Sequence, residues 1–134
     1  MSDPGAADLS GGWDGIFNYP RRFRPNAFTA TLRDAHGFLA GEIVEPSQGR
    51  HDRGATLHAW LEGRRDGTAV MFVKSYDDPG RAHYAVTYAG SVSPDGTEIQ
   101  GIWEIAGLWS GTFIMIRKAG KTEEAAREVV KTVR

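Results

Sequence analysis

The sequence predicts an all-β protein: an eight-stranded antiparallel up-and-down barrel with a short C-terminal helix. Three observations lead there. Seventeen glycines punctuate the 134 residues at turn-like intervals. Between them lie short runs in which apolar and polar residues alternate, the period of a strand with one buried face. The connections between these runs alternate between tight and long.

The runs can be read in order. Residues 12–19 put Trp13, Phe17 and Tyr19 on one face. Residues 27–33 set Phe28, Ala30 and Leu32 against Thr29, Thr31 and Arg33. Residues 37–45 form a third run. In 55–63, Leu57, Ala59 and Leu61 alternate with His58, Trp60 and Glu62. In 68–76, Phe72, Lys74 and Tyr76 share a face. In 83–92, Tyr84, Val86 and Tyr88 oppose Ala85, Thr87 and Ala89. Residues 97–105 carry Ile99, Gly101 and Trp103, and 108–118 complete the sheet. Beyond them Thr122 suits an N-cap, with Glu123 and Glu124 in a first turn whose dipole favours carboxylates. Ala126, Val129, Val130 and Val133 then make one apolar stripe at helical spacing. The expected organisation is a disordered tail over 1–10, a barrel over 11–118 and an amphipathic helix over 119–134.

The turns give the barrel two different ends. Asp34-Ala35-His36, Arg64-Arg65-Asp66-Gly67 and Ser93-Pro94-Asp95-Gly96 are tight, with hairpin chemistry in Asp-Gly and Pro-Asp-Gly. The segments 20–26, 46–54 and 77–82 are longer, and only the connection near Ala106-Gly107 is short on their side. In a meander, alternate connections share an end. The tight turns therefore close one end and the long segments surround a mouth. Glycine-rich β patterns also build sandwiches, but full closure removes the exposed edges that an open sheet leaves.

Composition narrows the function classes. Sixteen Lys and Arg balance 17 Asp and Glu, so no strong field points to nucleic acid or a membrane surface. There is no cysteine, hence no disulfide framework and no thiolate site. No apolar run nears the ~20 residues that span a bilayer. The acidic start, without an apolar stretch, does not read as a secretory signal, and a cytoplasmic location is expected. Of His36, His51, His58 and His83, none has zinc-ligand spacing. No metal site and no cofactor are expected.

Gly11-Gly12-Trp13 at the start of the first run and Arg117 near the end of the last resemble the end-closure device of the calycin barrels. In that group, the avidin-like, lipocalin-like and fatty-acid-binding-like families, the Trp plugs one end and the Arg lies across its ring. The physics is general: a large ring fills the closing end, and a guanidinium stacks on its face. The sequence Gly11-Gly12-Trp13-Asp14-Gly15 is nearest to the avidin-like group. The resemblance implies a barrel-centred cavity, with Trp13 and Arg117 as its structural closure. Biotin binding is not implied. Avidin-like biotin binders carry a polar residue at the position of Gly15, and an acidic residue on the late strands that 108–118 lacks.

The candidate ligand site combines an aromatic interior with a basic rim. Phe17, Tyr19, Phe72, Tyr76, Tyr84 and Tyr88 offer an apolar wall with hydroxyls toward the mouth, or core tyrosines whose hydroxyls reach solvent. Lys74 either snorkels outward or lies inside as a counter-ion or a desolvated amine. The long segments hold Arg21, Arg22, Arg50, Arg53 and Arg81, beside Arg24, His51 and His83. They read either as an anion-attracting rim, since Arg forks match carboxylates, or as solvated loop charges neutralised by Asp52, Asp77 and Asp78. Glu42 and Glu104 read as outward-facing carboxylates.

The expected function is a small-molecule binding barrel for an apolar or aromatic ligand with an acidic group. One alternative is a barrel isomerase or cyclase that moves a proton with Tyr, Lys or His at the mouth. Another is a barrel filled by its own side chains and acting through its surface, since eight strands enclose little spare volume. The expected partner is a small molecule, with neither nucleic acid nor membrane. A homo-oligomer is also expected, because the runs 68–76 and 108–118 are apolar on both faces.

Overall fold

Period-two patterning resolves into eight strands in the computed structural model, which describes residues 8–20, 24–46, 56–77 and 85–118. They are β1 (Gly11–Asn18), β2 (Asn26–Ala35), β3 (Phe38–Pro46), β4 (Thr56–Asp66), β5 (Ala69–Tyr76), β6 (Ala85–Val92), β7 (Glu98–Ile105) and β8 (Trp109–Arg117). Each pairs antiparallel with its neighbour in sequence, and β1 pairs with β8 to close the barrel. The all-β meander is as expected. The helix expected over 119–134 lies outside the described residues. No helix among the described residues is long and apolar enough to cross a membrane.

Alternation decides what fills the barrel. Trp13, Phe17, Phe28, Leu32, Ile43, Leu61, Phe72, Tyr88, Trp103, Phe113 and Met115 all point inward and are buried. The outward set includes Met71, Val73 and Ile116, so strands β5 and β8 do carry apolar side chains on both faces. Gly15 explains the absence of a polar residue two positions after Trp13. A Cβ there would run into the ring of Phe28, so the space belongs to the core.

Two of the three tight turns sit later than their sequence suggests, while the one after β6 starts at Ser93 as expected. β2 continues through Asp34 and Ala35, and the turn is His36–Gly37, both at positive φ (56° and 94°). β4 runs on to Asp66, leaving Gly67 and Thr68 as the turn. Two-residue connections with positive φ match the twist of the strands, so pairing extends to Ala35↔Phe38 and Asp66↔Ala69. Asp34 holds this end together. It accepts hydrogen bonds from the backbone N–H of Leu9 (2.9 Å) and Gly37 (3.0 Å). It also accepts from Arg65 Nε and Nη2, at 2.8 and 3.2 Å.

The closed end is a capped indole. Trp13 is fully buried, and the Arg117 guanidinium carbon lies 4.7 Å from its ring centroid. Trp13 Nε1 donates to the Leu9 carbonyl at 3.0 Å. Arg117 donates to the carbonyls of Ser10 (2.9 Å), Asp8 (2.8 Å) and Gly96 (3.3 Å). The cap thus draws in residues 8–10. Of the segment expected to be a disordered tail, the described part carries a fully buried Leu9. The physical reason is that Trp13 and Arg117 both need carbonyl acceptors at the rim, and this segment supplies them.

Two stability outcomes follow from the closed end. Trp13→Ala lowers stability by roughly 3–5 kcal/mol, as large core truncations do. Arg117→Ala lowers it by about 1–2 kcal/mol through lost stacking and hydrogen bonds. Urea melts of the two variants measure both; a Trp13→Ala midpoint equal to wild type would rule out the plug.

Asp34 generates a pH signature. Burial pushes its carboxyl up, but Arg65 and the two backbone donors together outweigh it and hold the carboxyl below its ordinary 3.8. A depressed folded-state value stabilises above the unfolded one and is lost as pH falls through the folded value. Asp34→Asn is therefore less stable than wild type at pH near 7, and the gap narrows below about pH 4. Urea midpoints at both pH values test this, and a gap that stays constant contradicts it.

Candidate functional site

The mouth half of the barrel holds a cavity of about 550 Å³, open on one side. Its walls come from different strands at one level. β1 supplies Phe17, with Tyr19 just beyond it; β5 supplies Lys74 and Tyr76; β6 supplies Val86 and Tyr88; β7 supplies Trp103 and Ile105. Leu57, Leu108 and Trp109 complete the apolar rim. Trp103 fits because residue 111, its cross-strand partner, is glycine: a Cβ there would lie 2.7 Å from the indole nitrogen. That nitrogen donates to the Asn18 carbonyl at 2.9 Å, which fixes the ring.

Three rings form the lip. Tyr19 lies edge-on to Trp103 at 5.6 Å between centroids and against Trp109 at 5.1 Å. Trp103 and Trp109 meet edge to face at 6.0 Å. Such pairs are rigid, amphipathic surfaces suited to a planar guest.

Deeper in lies a polar cluster centred on Glu45, which is 3% exposed. Lys74, 1% exposed, donates from Nζ to Glu45 Oε1 at 3.0 Å. The Tyr76 hydroxyl donates to Oε2 at 2.9 Å, and Asn26 Nδ2 approaches the same oxygen at 3.4 Å. The two ends of the ion pair come from β3 and β5, on either side of β4. They meet because β4 places the short side chain of Ala59 opposite Ile43 on one side and Tyr76 on the other. The ammonium also lies over aromatic faces, 4.6 Å from the Phe17 centroid, 4.7 Å from Tyr76 and 5.5 Å from Tyr88. A cation enclosed by rings gains from their quadrupoles where water is scarce.

The cluster shifts its neighbours' protonation. Burial pushes the Lys74 ammonium below its ordinary range, and the Glu45 carboxylate pulls it partly back. Burial, then the negative charge of Glu45, raises the Tyr19 phenol to about 12. The same two causes raise Tyr76 and Tyr88 well above the usual phenol value.

Among the expected ligand residues, Phe17, Tyr19, Lys74, Tyr76 and Tyr88 converge on this cavity. Lys74 is inside, which settles its orientation. Phe72 does not line the cavity: it stacks on Tyr88, 4.8 Å between centroids and 11° between planes, in the packed core. Tyr84, Arg21, Arg22, Arg50, Arg53 and Arg81 lie outside the described residues, as do His51, Asp52, Asp78 and His83. Glu42, Glu104 and His58 face outward. Glu45, Asn26 and Trp109 were not expected at the site. The signal for Glu45 was present, since it continues the alternation of Leu39, Gly41 and Ile43. Asn26 likewise stands two residues before Phe28 on the inward face. Comparison with protein-family models, with curated proteins and with solved structures gave no match.

The cluster makes two checkable statements. Removing one charge strands the other, so Glu45→Leu should cost roughly 3–5 kcal/mol, whereas Glu45→Leu combined with Lys74→Met should cost much less. Denaturant melts of the single and double variants decide it, and equal losses would contradict the pairing.

The tyrosines make the second. A raised folded-state value means stability is complete below the unfolded pKa of 10.0 and is lost as pH rises above it. In a native-state ultraviolet titration, Tyr19, Tyr76 and Tyr88 therefore stay protonated at about pH 11. At that pH no more than one of the four tyrosines ionises before unfolding. Three phenolates appearing with a midpoint near 10 in folded protein would contradict this.

Proposed function

We propose that the protein is a calycin-type binding barrel that holds a small aromatic or apolar molecule in the mouth-end cavity. The cavity itself carries this reading. Its volume of about 550 Å³ falls within the ~300–1,000 Å³ usual for small-molecule sites. Its wall is mainly apolar and aromatic, with a single polar cluster at depth, which is the composition such sites use. The ring body of the ligand lies among Phe17, Trp103, Trp109 and Tyr88.

The acidic group of the ligand turns outward. Inside the cavity the described cation, Lys74, already has Glu45 as its counter-charge. A second carboxylate there would face Glu45 with no net positive charge to meet it. In the sequence, Arg21 and Arg22 fall between β1 and β2, Arg50 and Arg53 between β3 and β4, and Arg81 between β5 and β6, all outside the described residues. Arg24, the described member of this group, is exposed. A cationic rim steers anions, and the effect falls as salt shortens the screening length to about 8 Å at physiological ionic strength.

Titration of tryptophan fluorescence with a panel of aromatic and fatty acids and their neutral esters tests the reading. The expected result is saturable binding, tighter for acids than for esters, with the difference shrinking as salt rises. Trp109→Ala weakens binding roughly three- to tenfold, the value of one aromatic contact. If no member of the panel binds saturably, the reading fails and the barrel's role lies on its outer surface.

Self-association belongs to the same proposal. Outward-facing Ile16, Ile102, Met71 and Ile116 are exposed on neighbouring or near-neighbouring strands. A two-fold contact between copies would cover such a band on both molecules at once. Sedimentation at tens of micromolar should show an assembly larger than one chain, and a monomer would remove this part.

A further inference from the structure

Lys74 is a strange residue to find inside a barrel. An ion pair buried in a core adds little stability over apolar residues of the same shape. Packing therefore gives no reason for an amine and a carboxylate at this depth. Of the other three lysines, Lys118 is at the surface, where it pairs with Asp14, and Lys121 and Lys131 lie outside the described residues. Lys74 borders a cavity that opens at the mouth, among aromatic rings, with Glu45 Oε1 3.0 Å from its nitrogen. Such a setting suits one chemistry above others: a desolvated amine acts as a nucleophile toward carbonyl carbon, and an adjacent carboxylate handles its proton.

We propose that Lys74 forms a reversible imine with aldehydes that carry an aromatic or apolar body. The inference rests on the binding reading above and names a substrate class for the same cavity. Glu45 first takes a proton from the Lys74 ammonium along their existing hydrogen bond, freeing the nitrogen lone pair. The nitrogen then attacks the carbonyl carbon. A C–N bond forms, the C=O π pair moves to oxygen, and a proton passes from nitrogen to that oxygen to give the carbinolamine. Protonated Glu45 returns its proton to the hydroxyl, which leaves as water while the nitrogen lone pair closes the C=N bond. The sum is ammonium plus aldehyde giving protonated imine plus water. Nothing is oxidised or reduced, and no co-reactant is needed. The product cation keeps Glu45 as counter-ion and the rings of Phe17 and Tyr76 at its sides. Burial, which already disfavours the ammonium, helps the first step.

The test uses the full wild-type chain with cinnamaldehyde and cyanoborohydride, which reduces a protonated imine to a stable secondary amine. Peptide mapping by mass spectrometry then locates the adduct. Cinnamyl alcohol, which cannot form an imine, reports cavity binding through tryptophan fluorescence and serves as competitor. The expected result is modification of Lys74 at least about tenfold faster than of Lys118, Lys121 or Lys131, suppressed by cinnamyl alcohol. Glu45→Gln, shown to be folded by circular dichroism, should slow the labelling by about a hundredfold, the smaller end of general acid–base effects. If the alcohol binds saturably but label falls only on the other lysines, the imine is overturned and the binding reading stands. If the alcohol does not bind and Lys74 stays unmodified, both fall.

Discussion

The pairing of β1 with β8 is the constraint on which the rest of the structure depends. An open eight-stranded sheet would leave two edges and a wet inner face. Closure makes the inner face a dry interior, and it brings the two halves of the end cap together. Trp13 stands opposite Arg117 across this seam. The same register sets Phe17 against Phe113, two inward positions nearer the mouth. The cap and the cavity floor are therefore consequences of one alignment. A slip of one residue would turn every inward side chain of β1 outward.

A closed interior changes what charges do there. In water the Lys74–Glu45 pair would be worth little, and in a core it must overcome the cost of leaving water. The barrel offsets that cost in specific ways. Tyr76 and Asn26 add donors to the carboxylate, and three rings surround the ammonium. The closed half of the barrel spends its volume on packing, with Trp13, Leu32, Ile99 and Met115 fully buried. The mouth half leaves space beside its charges. The cavity lies where packing stops and polarity begins.

Much of this was legible in the sequence, for a physical reason. Alternation, tight turns and the Trp13–Arg117 pairing are local or nearly local signals, and they placed all eight strands within a few residues. Turn positions slipped because Asp34 and Asp66 read as turn residues, whereas here each belongs to the strand before a two-residue turn. At the site, Phe17, Lys74, Tyr76 and Tyr88 were legible because they follow period two among apolar neighbours. Glu45 follows the same period, but a carboxylate on an apolar face has no evident role until its partner is known. That partner is 29 residues away, across an intervening strand. Trp109 is hard to read because it stands at the mouth-end start of β8, on the same face as Phe113 and Met115 but beyond the buried part of the strand.

On the reading proposed above, the space beside the Glu45–Lys74 pair is a ligand cavity. A crystal structure of the protein soaked with a small aromatic alcohol tests it most directly. The account predicts the ring between Trp103, Trp109 and Phe17, with the contact between Lys74 and Glu45 intact. A cavity closed by collapse of Trp109 and Tyr19 onto Lys74, with the alcohol bound only on the outer surface, would contradict it.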